Sequence, residues 1–343
     1  MGQPEPICAD QHAGSAAQPK DLVVVITGAS SGIGHATALA FAGRGARLVL
    51  AARDVETLAP VATACRTAGA ASTLVVPTDV TDAQAVERLC DAALGLHGHI
   101  DVWVNGVGVG AIGRFDETPL AAHRRVVEAN LIGHLQGAHV ALRHFRERGR
   151  GTLINLISVG GWIPAPYAAA YTASKFGLRG LSQALRAEVA DLPQVHVCDV
   201  APTFVDSPGL SHGANYTGSN IHVPIPLVDP RRVARAVVAL AQRPRAVTWV
   251  GAGAGAGRLA QAIAPQWLGA SMQRVTRWAL GRARPAMPSD GNLFTPSVVT
   301  AIDGGQRQAN QRAVGTVVAM GVLGLAMGMW VGGRRPAPDD TGT

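Results

Sequence analysis

Tyr171 and Lys175 stand four residues apart in YTASK, and the chain holds only one other lysine, Lys20. Residues four apart on a helix share a face, so both side chains can point at one pocket. Arginine fills nearly every other basic position. A guanidinium is a fixed fork, whereas lysine is a compact, rotatable ammonium, so a retained Lys175 suggests chemistry that arginine cannot do. A free phenol titrates near pH ~10, too high for easy proton exchange at neutral pH, and a nearby ammonium lowers that value. Tyr171 could then act as general acid in carbonyl reduction or as base in alcohol oxidation. Taken singly, Tyr171 could equally be a packing residue and Lys175 a product of drift.

A second candidate is TGASSGIG (27–34). Gly28, Gly32 and Gly34 allow a sharp turn and a close backbone approach to a pyrophosphate, and the helix that follows offers unpaired N–H groups. The spacing is GxxxGxG, not the commoner GxGxxG, and a glycine triplet alone marks many strand–helix turns. Its place at the end of the first apolar run favours a phosphate cradle.

The elements that must position these residues are legible as apolar runs at 21–28, 46–53, 72–80, 100–108, 151–158, 195–202 and 246–251. Their hydrophobicity is continuous rather than alternating, as in strands buried on both faces of a parallel sheet. Helical patterns fill the gaps and supply right-handed crossovers. The expected fold is α/β, a doubly wound, Rossmann-like parallel sheet of about seven strands.

With these motifs in order, the chain resembles the short-chain dehydrogenase/reductase family over about residues 21–250. TGASSGIG is similar to that family's cofactor loop and YTASK to its Tyr-xxx-Lys motif. Ser158, thirteen residues before the tyrosine, and Asn130, in EANLIGHLQGAHVAL, match its catalytic serine and asparagine. The resemblance implies that Ser158 hydrogen-bonds the substrate oxygen, that Lys175 holds the nicotinamide ribose, and that Asn130 holds a water linking Lys175 to solvent. It implies cofactor contacts at Gly28, Ser30, Ser31, Gly32, Ile33, Gly34, Asp79, Val80, Asn105 and Pro202, besides Tyr171 and Lys175. At the end of the second strand Ala52 stands where NAD-preferring folds carry an acid, and Arg53 follows. Arg53 can pair with a 2′-phosphate, so NADP(H) is expected over NAD(H), with a solvated surface arginine as the alternative. Two positions depart from the family: Asn-Asn-Ala-Gly reads Asn105-Gly106-Val107-Gly108, and Pro-Gly reads Pro202-Thr203. Residues 203–228 lie where the family builds its variable substrate lid.

The rest of the chain is read from composition. Four scattered cysteines without metal-like spacing predict a reduced protein with no disulfide framework and no metal site. The net charge is +7, and ten arginines with no acidic residue fall between Arg231 and Arg284. No nucleic-acid motif accompanies that charge, which leaves an anionic membrane surface as the expected partner. Residues 1–20 read as a disordered leader, 21–250 as the catalytic domain, and 251–312 as a basic amphipathic helical extension. In that extension Leu259, Ile263, Trp267, Met272, Val275 and Ala279 fall roughly on one face, and Pro265 leaves one helix or two equally open. Residues 313–331 carry no charge over a length of about 28 Å, so 313–333 is expected to span a membrane, ahead of a short tail at 334–343; a buried core or dimer helix is the alternative. The expected protein is a membrane-associated enzyme with its catalytic domain on the cytoplasmic side, where NADPH is found. It would move a hydride between nicotinamide and an apolar or lipid-like carbonyl or secondary alcohol, with a homodimer or tetramer left open. A cofactor-binding sensor or scaffold without turnover is the competing function.

Overall fold

A computed structural model of the protein describes residues 22–220 and 227–307. The leader at 1–20, the expected span at 313–333 and the tail at 334–343 lie outside the described residues. Among those described, no helix is long and apolar enough to cross a membrane.

All seven expected strands form. In chain order the elements are β1 (Val23–Thr27), α1 (Gly32–Ala42), β2 (Arg47–Ala52), α2 (Val55–Thr67), β3 (Ser72–Pro77), α3 (Ala83–His97) and β4 (Val102–Asn105). The short strand β5 (Ala111–Ile112) and α4 (Leu120–Val127) lead through a π-helical turn, Glu128–Ile132, into α5 (Gly133–Arg148). Then come β6 (Gly151–Leu156), α6 (Ala169–Glu188), β7 (Val195–Pro202), the single turn α7 (Gly209–His212) and β8 (Ala214–Asn215). The last elements are α8 (Pro230–Gln242), β9 (Val247–Val250), α9 (Ala254–Ile263) and α10 (Pro265–Leu280).

The main sheet is parallel throughout, in the order β3-β2-β1-β4-β6-β7-β9. Both faces are covered, which is why β1 reads as an unbroken buried run, VVVIT. Val24 and Ile26 join one apolar layer with Phe41 of α1, Leu58 and Val61 of α2 and Val237 of α8. Val25 and Trp103 join the other, with Leu89 of α3 and Phe145 of α5. The strand order reverses beside β1, where successive crossovers leave on opposite sides and open a crevice at the strands' carboxyl ends. TGASSGIG begins there.

Beyond β9 the chain makes two helices, not one. Pro265 takes the first position of α10, where its missing N–H costs no hydrogen bond. The apolar stripe read from the sequence does not pack on the core: α10 buries no residue, and Leu259, Ile263, Trp267, Val275 and Trp278 are exposed. From Arg284 the chain turns back across the carboxyl ends of the sheet strands. It pairs antiparallel with the 215–219 region through Ser289 and Pro285 and ends, within the described residues, against Asp206.

Candidate active site

The site is assembled by one helix and one strand end. Tyr171 and Lys175 lie one turn apart on α6, and Ser158 follows β6. Lys175 is only 2% exposed, and its Nζ donates to the carbonyl of Leu156, the last residue of β6, at 3.0 Å. That ammonium lies 5.7 Å from the centre of the Tyr171 ring. The Ser158 hydroxyl accepts the Gly160 N–H at 3.1 Å and favours the ionised Tyr171 phenol. Gly160 is bare for a reason: a Cβ there would lie 3.1 Å from the tyrosine ring. Ser158 itself is held at φ 150° and ψ 159°, a region that only glycine adopts readily. Its strain places the hydroxyl beside the phenol.

Burial raises the Tyr171 phenol above its ordinary value, against the Ser158 hydrogen bond, which lowers it. Burial also lowers the Lys175 ammonium to about 7. The lysine therefore sits near its titration point at neutral pH, a condition in which a small electrostatic change moves its proton.

Asn130 lies on the π-helical turn and is fully buried. Its side chain closes a two-way pair with Val109, accepting its N–H at 2.8 Å and donating to its carbonyl at 2.9 Å, and also donates to Ser174 at 3.2 Å. The amide thus ties the loop after β4 to α6, and a role in a relay would fall to its main chain, whose carbonyl lies in the widened turn. Sequence reasoning missed His134, four residues on. It is 1% exposed, binds the Val107 carbonyl through Nε2 at 2.8 Å and leaves Nδ1 unpaired. Burial, helped by Lys175, lowers it to about 3, so it is neutral.

The glycine turn has the form the sequence required. Gly28 and Gly32 have φ values of 70° and 54°, and a Cβ on Gly34 would lie 2.0 Å from the Gly28 carbonyl. Ser31 is the N-cap of α1 but makes no side-chain cap, so Ser30, Ser31 and Ile33 are partly exposed around an open helix end. Both departures from the family pattern have local causes. A Cβ on Gly106 would lie 2.4 Å from the Thr27 carbonyl, so this loop has room only for glycine. Thr203 occupies the space a Cβ of Gly251 would fill, at 2.1 Å; the glycine lost after Pro202 is matched by one just past the end of β9.

The remaining expected contacts are differently placed. Pro202 is buried at the end of β7 beside Val250. The Asn105 side chain faces inward, accepting from Trp103 at 2.8 Å and donating to the His134 carbonyl and Asn155, so only its main chain is free to meet a ligand. Val80 is buried against Gly133. Asp79 pairs with Arg125 at 2.8 Å; burial alone would raise its carboxyl, but the bonds from Arg125 and Thr81 hold it below the usual carboxylate value. Arg53 points into the crevice and donates to four successive main-chain carbonyls, Asn292 to Thr295, at 2.8 to 3.4 Å. The returning segment also reaches α1, where Gly32 N–H donates to the Ala301 carbonyl at 2.9 Å and His35 Nδ1 meets the Thr300 carbonyl at 2.7 Å. Among the described residues no cluster could hold a metal ion.

A glycine turn whose missing side chains leave a cradle, an arginine at the β2 end and a Ser–Tyr–Lys corner together fit a dinucleotide. Comparison with known proteins points the same way. Residues 22–215 match the family described as short chain dehydrogenase. The uncharacterized oxidoreductase YxnA of Bacillus subtilis is 30% identical over 274 residues, covering 79% of this chain and 77% of that protein. An 11-beta-hydroxysteroid dehydrogenase A of Arachis hypogaea is 37% identical over 186 residues, 54% of this chain and only 52% of that protein. The solved structure of an alcohol dehydrogenase from Thermococcus sibiricus, complexed with 5-hydroxy-NADP, superposes with a TM-score of 0.58 at 27% identity, over 67% of this chain and 96% of that one. Seven strands in this order, the corner they position and a family match over more than half its length make this chain a member of the short chain dehydrogenase family, and an oxidoreductase.

Proposed function

We propose that the protein is an NADP(H)-dependent oxidoreductase that moves a hydride between nicotinamide and an apolar carbonyl or secondary alcohol, its catalytic unit lying within 21–250. The observation that carries this is the corner itself: Ser158, Tyr171 and Lys175 meet where α6 packs on the end of β6, with the buried Lys175 ammonium bonded to Leu156 and 5.7 Å from the tyrosine ring. When bound, the nicotinamide supplies or accepts the hydride. Tyr171 gives the proton to the nascent alkoxide or takes it from the alcohol, Ser158 stabilises the charge on that oxygen, and Lys175, held by Leu156, tunes the phenol. Asn130 fixes the loop that faces them. Arg53, with no acid beside it on β2, favours a cofactor bearing a 2′-phosphate. The Arachis relative's name is in keeping with an apolar substrate, and so is the cluster Ala111, Val126, Ala170 and Ala214 that packs against Tyr171.

The same reading places the enzyme at a membrane. Exposed Leu259, Ile263, Trp267, Val275 and Trp278 share α9 and α10 with exposed Arg258, Arg274 and Arg277, a mixture suited to an anionic lipid interface. The uncharged 313–331 run would anchor the chain there, with the cleft on the cytoplasmic side. NADPH oxidation by the purified full chain across small and lipid-like carbonyls tests the function. Turnover lost in Tyr171→Phe supports it, and NADPH binding with no turnover on any carbonyl would favour a sensor instead.

A further inference from the structure

The segment returning from α10 meets two of the groups assigned to the dinucleotide, Arg53 and the Gly32 N–H. Its carbonyls at 292–295 fill Arg53, its Ala301 carbonyl fills the Gly32 N–H at the open end of α1, and it ends beyond the crevice at Asp206, next to the β7 end. The two phosphate-binding groups of the cleft are therefore already satisfied by neutral main-chain acceptors. The segment is anchored away from them. Leu293 is 1% exposed in the apolar cluster beside α4, and Asp303 makes a two-pronged pair with Arg231 at 2.8 and 2.9 Å. Asp206 accepts the N–H groups of Gln306 and Arg307 at 2.9 and 3.0 Å.

We propose that residues 292–301 are a displaceable strap that occupies the phosphate-binding groups of the cleft and thereby lowers the apparent affinity for either dinucleotide. This rests on the assignment of Arg53 to a 2′-phosphate. A phosphate offers Arg53 charge-assisted bonds stronger than those of the four carbonyls it displaces. Either cofactor must displace the strap, so both apparent affinities are scaled down by the fraction of molecules in which it is open, and their ratio reports the bond from Arg53 to the 2′-phosphate alone.

Hydrogen exchange on the full chain, with and without NADPH, tests the strap without altering it. Strap displacement predicts faster exchange at Asn292 and Gly304, whose N–H groups are bonded to His212 and Asp206; slower exchange there would show a clamp closing over bound cofactor and overturn the proposal. The paired variant Asp303→Ala with Leu293→Ser loosens two of the three anchors. Fluorescence titration should then show NADPH and NADH both binding at least about fivefold tighter, with their ratio unchanged. Unchanged or weaker binding of NADPH in a folded variant would refute the strap. If the wild-type chain binds neither nucleotide, or if Arg53→Ala leaves NADPH affinity intact, the cofactor assignment itself fails and the strap proposal falls with it. NADPH binding that depends on Arg53, with no change in exchange at 292–304, removes the strap alone.

Discussion

The two ends of the cleft are built on different terms. At the corner, Ser158, Tyr171 and Lys175 are satisfied by one another and by the adjoining strand end, all within twenty residues of sequence. At the cradle, Arg53 and the Gly32 amide are satisfied by residues 292–301, more than two hundred residues further along the chain. A corner closed on itself is ready before any ligand arrives, whereas a cradle filled by the chain's own carbonyls must exchange partners to work. Chemistry should therefore fail when the corner is touched, while binding and selectivity should respond at the cradle.

The largest expected effect is at the corner. Tyr171→Phe removes the transferable proton and should lower kcat by about 10²- to 10⁴-fold, with NADPH affinity nearly unchanged. More than a tenth of wild-type kcat would remove Tyr171 from its assigned role. Lys175→Arg keeps a charge but not the compact ammonium under the Leu156 carbonyl; a loss of at least about tenfold in kcat is expected. Full activity would mean the lysine only packs.

At the cradle, Arg53→Asp should move the ratio of kcat/KM for NADPH over NADH by about 10- to 100-fold toward NADH, the size of a lost charge-assisted hydrogen bond. An equal ratio in variant and wild type would make Arg53 a surface residue. The variant also releases four strap carbonyls, which relieves both cofactors alike and leaves the ratio to report the lost charge.

A smaller effect separates the corner's electrostatics from its catalysis. The folded-state value of Lys175 lies near 7, below the 10.5 of an exposed lysine. Above about pH 7 the unfolded chain therefore binds the extra proton, and stability should rise with pH by up to about 1.4 kcal/mol per unit. The buried thiols Cys65, Cys90 and Cys198, raised to about 11, oppose this only above their own ordinary range. Between about pH 7 and 8.5, denaturation of the cofactor-free protein should show this rise, and Lys175→Met should flatten it. A parallel slope in both proteins would show that the ammonium is hydrated.

What the sequence revealed and what it hid follow the same division. All seven strands were legible because each is a short, continuous apolar run; Tyr171 and Lys175 were legible as a pair from their spacing on one helix, and Ser158 only through the family resemblance. The unusual backbone of Ser158 was hidden, since nothing in ISVGG distinguishes a serine at φ 150° from one in an ordinary turn. The inward Asn105 was hidden because the same residue type serves a buried network or a ligand. The strap was hidden most completely. It meets Arg53 and Gly32 through main-chain carbonyls, which every residue carries, and residues 292–301 have neither helical nor strand periodicity. Pro265 did mark the break between α9 and α10, but the exposure of their apolar residues could not be read from spacing, which describes a face and not what covers it.

The exposed pair α9 and α10 offers the smallest and last prediction. Two of the chain's six tryptophans, both on α10, serve as its probes. Trp103 and Trp162 are buried in the catalytic unit, whereas Trp267 and Trp278 are 72% and 54% exposed on α10. Tryptophan prefers the lipid headgroup region, and each arginine near an anionic surface adds about 1 kcal/mol of attraction that salt weakens. The full chain reconstituted in vesicles containing brominated lipids should therefore show tryptophan quenching that is stronger with anionic than with zwitterionic headgroups and partly reversed by salt. Trp267→Phe with Trp278→Phe should remove the salt-sensitive part while leaving any quenching of Trp330 in the uncharged 313–331 run. Because the two contributions respond differently to salt, the helix pair is tested apart from the anchor. Equal quenching in the wild type and the double variant would show that α9 and α10 do not lie on lipid, and the expectation of an apolar substrate drawn from the membrane would lose its support.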